Sequence, residues 1–156
     1  MSSEDQTYVL AHDRFVLRLG INYFLNQALL LAEPFGGDVL LALTFLTINT
    51  CNLQHLSNAA SFNPLAVDGV MPDGLRRPVT IAAVSRELGI PRETTRRYVK
   101  RLIDMGYCRA TGSRGILVPT VVLKSEAIDS LARRHGAFAR DLMQALIEAH
   151  GQPADQ

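Results

Sequence analysis

The chain has no tryptophan and only two cysteines among its 156 residues, and its uninterrupted apolar runs are short. Cys51 and Cys108 form no CxxC pair and lie far apart, so we expect two free thiols in a reducing cytoplasm rather than a disulfide framework. The most apolar run, residues 39–48, reaches only about half of the roughly 20 residues that a transmembrane helix requires. These absences predict a folded cytoplasmic protein that does not enter a membrane.

The sequence also lacks the motifs of common enzyme active sites. Gly36 and Gly37 are not followed by the lysine of a phosphate-binding loop, and Ser125 has no neighbouring base. Cys51 and His55 share a predicted helix, but two ligands do not make a metal site, and Cys51 would need exposure and a lowered pKa to sense oxidation. We therefore predict no enzyme activity, no catalytic residues, no metal and no cofactor.

The charged fraction of 20% is ordinary, but positive charge is concentrated in one segment. Residues 76–124 hold 11 Lys and Arg against 3 Asp and Glu, whereas residues 1–75 hold 2 against 7 and residues 125–156 hold 3 against 5. The net charge of +1 therefore conceals a cationic block between two acidic ones. Such a block predicts a polyanionic partner.

Hydrophobic periodicity and turn residues predict a mainly α-helical protein with a small hairpin. The first helix is expected over residues 8–33, and Asp38 is expected to cap a second, very apolar helix that ends near Leu56. The predicted parts are a disordered tail (1–7), an N-terminal helical hairpin (8–56), a long loop (57–78), a winged helix-turn-helix module (79–123), a C-terminal helix (124–150) and a tail (151–156).

The terminal helices carry more apolar surface than one small module can cover. Helices of this kind commonly close a homodimer, so we predict that residues 8–56 and 124–150 form a dimerisation region. The alternative is that they pack only on their own chain's module.

The central module contains the local signals of a helix-turn-helix. Thr80 is expected to cap a helix over residues 81–88, and Gly89 provides the left-handed residue that a sharp turn needs. Pro91 can start the next helix because its φ is already close to the helical value. This second helix, predicted over residues 91–105, is the candidate recognition helix.

The recognition helix has an apolar stripe and a cationic face. Three- and four-residue spacing places Thr95, Tyr98, Val99, Leu102 and Ile103 towards the core. The ten positions from Arg92 to Arg101 carry five cations and one opposing charge, Glu93, and unneutralised cations of this kind suit DNA phosphates. The candidate DNA-binding residues on this helix are Arg92, Thr94, Arg96, Arg97, Lys100 and Arg101.

A hairpin follows the helix and supplies a second candidate contact. Residues 107–110 and 116–123 have the composition of strands, and glycines flank the tip at Ser113 and Arg114. We expect this wing, residues 107–121, to place Arg114 in the minor groove or on phosphate, with Arg109 and Ser113 as further contacts.

The run ELGIPRETTRRYVKRLIDMGY (87–107) resembles the recognition-helix motif of GntR-type bacterial regulators, and GSRGILV (112–118) resembles their wing. By this resemblance Arg92, Thr94, Arg96 and Arg97 lie where the family meets DNA, and Arg114 lies on the wing. The helices before and after the module resemble instead the MarR-type layout, in which they build a homodimer.

The sequence therefore predicts a homodimeric transcriptional regulator that binds double-stranded DNA. Two alternatives stay open. One is a MarR-like sensor with a small-molecule effector between the terminal helices and the module, and the other is a winged helix that docks an acidic protein partner.

Overall fold

The computed structural model describes residues 3–56, 65–112 and 115–151. The predictions for residues 57–64 of the long loop, for Ser113 and Arg114 of the wing tip, and for the ends of both tails lie outside this part of the chain. Within it the helices are α1 (Ser3–Ala32), α2 (Val39–Leu53), α3 (Ile81–Leu88), α4 (Arg92–Asp104), α5 (Thr120–Leu123) and α6 (Glu126–Gly151), and the strands are β1 (Arg109–Thr111) and β2 (Gly115–Leu117). The mainly helical fold is therefore confirmed.

The chain divides into two compact units, and the larger one runs from Ala32 to Asp129. Its central element is α2, whose side chains Leu41, Phe45 and Ile48 are almost completely buried. Asp38 caps this helix as predicted, because its Oδ1 accepts a hydrogen bond from the Leu41 N–H at 3.0 Å. Both α3 and α4 pack against α2, so an apolar helix is covered by the module that carries the cationic face.

The helix-turn-helix follows its local sequence signals closely. Thr80 Oγ1 accepts from the Ala83 N–H, and α3 then ends at Gly89, whose φ of +66° is the left-handed value that favours glycine. The Ser85 hydroxyl donates to the Ile90 carbonyl across the turn at 2.7 Å. The start of α4 at Arg92 agrees with the prediction from Pro91.

The wing is shorter than the sequence predicts. Strands β1 and β2 pair antiparallel with Arg109 opposite Leu117, and β2 ends there instead of continuing to Leu123. Pro119 cannot donate to a strand ladder, and Asp73 Oδ1 accepts hydrogen bonds from both the backbone N–H and the hydroxyl of Thr120. This long-range cap starts the short helix α5 where a strand was expected.

The described part of the predicted long loop contains local structure. A turn at Asp68 and Gly69 is closed by backbone hydrogen bonds between Val67 and Val70, and Asp73–Leu75 forms a 3-10 helix. The Thr120 side chain lowers the pKa of Asp73 by hydrogen bonding to its carboxylate. Asp73 therefore joins this segment to the start of α5.

The smaller unit consists of α1 as far as Leu31 and α6 from Ser130. The two helices meet where the His135 ring is the hydrogen-bond partner of Gln27 Oε1 and stacks at a tilt on Tyr23. By length and composition alone, the segments His12–Phe35 and Val39–Leu56 are apolar enough to cross a membrane. The buried share is 17% for the first segment and 33% for the second, and one or two such helices are weak evidence for a membrane span.

Candidate nucleic-acid interface

Helix α4 has a buried face and a cationic face. Thr95, Val99 and Leu102 are buried at three- and four-residue spacing, as predicted, and Tyr98 and Ile103 border them. Thr94 is half-buried at the edge of the same face. The cationic side chains of the helix are all exposed: Arg92, Arg96, Arg97, Lys100 and Arg101.

Three of these five cations have acidic partners. Arg96 pairs with Glu93 at 2.6 Å and Lys100 with Asp104 at 2.7 Å, both along the same helix. The Arg96 guanidinium lowers the pKa of Glu93 by hydrogen bonding to it. The pairing of Lys100 with Asp104 was not predicted, although a four-residue spacing between opposite charges on a helix is a known ion-pair signal. Exposed pairs of this kind contribute little to stability, so phosphate can displace them.

The third pair joins two elements. Arg101 Nη1 donates to Asp38 Oδ2 at 2.6 Å, while the other oxygen of the same carboxylate caps α2. This contact could not be predicted from the sequence, because Arg101 and Asp38 are far apart in the chain and meet only through the packing of α4 on α2. Arg97 instead lies over the ring of Tyr98, with its guanidinium carbon 5.7 Å from the ring centroid.

The described part of the wing adds one candidate cation. Arg109 on β1 is exposed and lies 4.0 Å from Asp73, which leaves it only loosely held. Gly115 at the start of β2 packs tightly, since a Cβ there would come within 2.7 Å of Pro78 and of the Thr111 carbonyl. Only glycine therefore fits between the strand and the segment that precedes α3.

Asn52 anchors the wing to the helical core, a role that the sequence analysis missed. Its side chain is completely buried. The Nδ2 atom donates to the carbonyls of Arg77 and Ile116, and Oδ1 accepts from the Val118 N–H. The only sequence signal was a polar residue at the end of an apolar helix, and its three partners follow later in the chain.

A buried arginine supports the same region. Arg76 is 6% exposed, and its guanidinium donates to the Asn49 side-chain oxygen and to the Met71 carbonyl. Burial lowers the pKa of Arg76. This cation belongs to the core of the unit and not to the exposed cationic face.

The cysteines form no reactive centre in the described part of the chain. Cys51 is half-buried and Cys108 is buried, both as free thiols. Burial raises the pKa of Cys51 and raises that of Cys108 to about 12, so both thiols are neutral at pH 7. Among the described residues, no group of three His, Cys, Asp or Glu side chains is placed to hold a metal.

The arrangement of α2, α3, α4 and the β1–β2 hairpin defines a winged helix-turn-helix, the fold of many DNA-binding regulators. Residues 74–112 match the model of the IclR helix-turn-helix domain, which extends from the 3-10 helix before α3 to the wing. No curated protein and no solved structure matches the chain.

The match identifies the role of the module. A helix-turn-helix domain of this type supports a DNA-binding transcriptional regulator with double-stranded DNA as its partner. The IclR helix-turn-helix is neither of the two types that the sequence resembles. The match supports the predicted winged helix-turn-helix of this segment. It does not support the GntR-like or MarR-like subfamily.

Proposed function

We propose that the protein acts in the cytoplasm as a sequence-specific regulator that places α4 in the major groove of its operator. The observation that carries this proposal is the division of α4 into a buried apolar face and a face with five exposed cations. A helix of this kind fits the major groove, where arginine can read guanine through two hydrogen bonds. Arg97 is the proposed base contact because it is exposed in the middle of α4 and forms no ion pair within the described residues, its guanidinium lying instead over the Tyr98 ring.

The other cations are assigned to the DNA backbone. Lys100 and Arg101 lie one turn further along α4, and Arg92, Thr94 and Arg96 flank the helix start. Arg109 extends the cationic surface onto the wing, and Ser113 and Arg114 stay predicted contacts of its tip. Phosphate contacts of this type fix the position of the protein and make its affinity depend on salt.

We further propose that the smaller unit forms a homodimer, as in the MarR-type layout. Tyr23, Gln27 and Leu30 lie on the α1 face that is at least partly buried. Another face of α1 carries large apolar side chains that the chain leaves exposed: Leu17, Ile21, Phe24, Leu25 and Leu29. A contiguous apolar surface of this kind marks an interface. A symmetric dimer would present two α4 helices about 34 Å apart to a palindromic site.

Substitution of Arg97 by alanine tests the proposed base contact. We expect the affinity for a duplex selected from a random library to fall by about 1–3 kcal/mol, which is roughly 5- to 150-fold, while the affinity for a scrambled duplex falls much less. Retardation of both duplexes at several salt concentrations measures this difference. Arg140→Ala, an exposed arginine on α6, is the matched control. Equal affinity of the Arg97 variant and the wild type for the selected duplex would remove the assignment.

Substitution of Asp38 by asparagine tests the contact between Arg101 and DNA. Asparagine keeps the cap of α2 through its side-chain oxygen but removes the carboxylate that holds Arg101. We expect non-specific DNA affinity at low salt to rise about 1.4- to fivefold, since an exposed pair contributes about 0.2–1 kcal/mol. Fluorescence anisotropy with random duplex DNA measures the change.

Asp141→Asn changes the net charge equally on an exposed position of α6 and controls for general electrostatics. A rise of the same size in that control would attribute the effect to net charge alone. Little or no salt-dependent retardation of random duplex DNA would favour the alternative in which the module docks an acidic protein partner.

A further inference from the structure

Two adjoining cavities lie beside α2 in the larger unit, and no residue of α4 lines either of them. The first measures about 340 Å³ and the second about 240 Å³. Cys51, Gln54 and Glu87 line both of them, so the two form one elongated cleft that borders α2 and α3. Small-molecule sites commonly measure about 300–1,000 Å³, so the cleft has the size for a small ligand.

One end of the cleft is cationic. Arg77 and Arg86 line the first cavity, and neither guanidinium makes an ion pair within the described ranges. Glu87 is the one carboxylate in the lining. Burial and the nearby Glu87 raise the pKa of the Cys51 thiol, which therefore adds no negative charge. The two guanidinium groups outnumber the single carboxylate, so this end of the cleft carries an excess positive charge that an anion can neutralise.

The other end of the cleft is mainly apolar. Leu43 and Leu46 line the second cavity together with the methyl-bearing Thr47 and Thr50. Leu43 is 42% exposed, although it belongs to the helix that forms the core of the unit. An apolar group in this cavity would remove that side chain from water, which is favourable.

We propose that the cleft binds an amphipathic organic anion, with its carboxylate at Arg77 and Arg86 and its apolar tail against Leu43 and Leu46. Arginine is suited to this role because its planar guanidinium matches carboxylate geometry. The site lies within the larger unit and is distinct from the effector pocket considered in the sequence analysis.

Binding at this place would act on DNA affinity, a step that depends on the proposed function. Ala83, Arg86 and Glu87 in the lining are residues of α3, and α3 leads through Gly89 directly into α4. The Ser85–Ile90 hydrogen bond ties α3 to the start of this turn. A ligand that favours one spacing of α2 and α3 therefore biases the position of α4.

Octanoate is the probe for this proposal, with 1-octanol as the tail without the charge and acetate as the charge without the tail. We expect octanoate to raise the melting temperature of the full chain and to bind in calorimetry, while the other two bind at least about tenfold more weakly. We expect Arg86→Gln and Leu43→Asn each to weaken octanoate binding by about tenfold or more. Arg133→Gln, an exposed arginine on α6, should leave it unchanged.

Equal binding of octanoate and 1-octanol, or full octanoate binding by Arg86→Gln with native stability, would overturn the proposal. No binding of octanoate up to millimolar concentration would also overturn it. Retardation of duplex DNA with and without octanoate separates the two proposals. If octanoate binds but duplex DNA is not retarded, the result contradicts the DNA-binding function and supports the ligand site in the cleft. If DNA is retarded but octanoate does not bind, the result supports the DNA-binding function and contradicts the ligand site.

Discussion

Replacement of Asn52 by alanine is expected to destabilise the larger unit by about 3–5 kcal/mol, because one buried side chain satisfies three backbone groups. The Nδ2 donor serves the carbonyls of Arg77 and Ile116, and the Oδ1 acceptor serves the Val118 N–H. Alanine removes the partner of the buried Val118 N–H and of the part-buried Arg77 carbonyl, leaves the Ile116 carbonyl with only its hydrogen bond from the Val79 N–H, and also creates a cavity. At about 4–8 °C per kcal/mol for a domain of this size, the melting temperature should fall by roughly 12 °C or more.

Thermal and urea unfolding followed by circular dichroism measure this effect. Asn52→Asp keeps the acceptor but replaces the donor by a second acceptor that faces two carbonyls, so its loss of stability should approach that of alanine. Gln54→Ala changes an exposed amide close to Asn52 and should alter stability by less than about 0.5 kcal/mol. A fall of only a few degrees for Asn52→Ala would mean that water or local relaxation provides hydrogen bonds to these backbone groups in place of the Asn52 side chain.

The contrast between Asn52 and Thr80 explains which parts of this fold were accessible from the sequence. Thr80, Gly89 and Pro91 act on residues within a few positions of themselves, so the helix-turn-helix and its bounds could be predicted. Asn52 acts on residues that follow far along the chain. Without knowledge of the fold, the same residue is only a polar interruption in an apolar helix.

The features of the candidate nucleic-acid interface also differ in whether the local sequence could predict them. The exposed cations of α4 follow from helical spacing alone, and the structure places all of them on the solvent side. The Asp38–Arg101 pair and the cap that Asp73 gives to Thr120 depend on contacts between distant segments. Local patterns therefore gave the cationic face, whereas its counter-charges and the end of the wing required the tertiary structure.

Charged substitutions on the exposed face of α1 are expected to abolish the proposed homodimer. Leu17 is 61% exposed and Phe24 is 67% exposed, and their seven-residue separation places them on one side of the helix, two turns apart. Burial of such side chains contributes about 1.5–3 kcal/mol each. The double variant Leu17→Asp, Phe24→Asp should therefore weaken association by about a hundredfold or more.

Sedimentation equilibrium of the wild type and the variant measures the change as a shift from dimer to monomer. Asn26→Asp adds a charge at an exposed polar position of the same helix and should leave the dimer intact. Because the altered residues belong to the smaller unit and not to the α4 face, each monomer should keep its affinity for a single half-site. Its affinity for the palindrome should fall, since two linked half-sites bind far more tightly than one. A wild-type chain that sediments as a monomer at micromolar concentration would exclude the dimer and leave a regulator that reads one half-site.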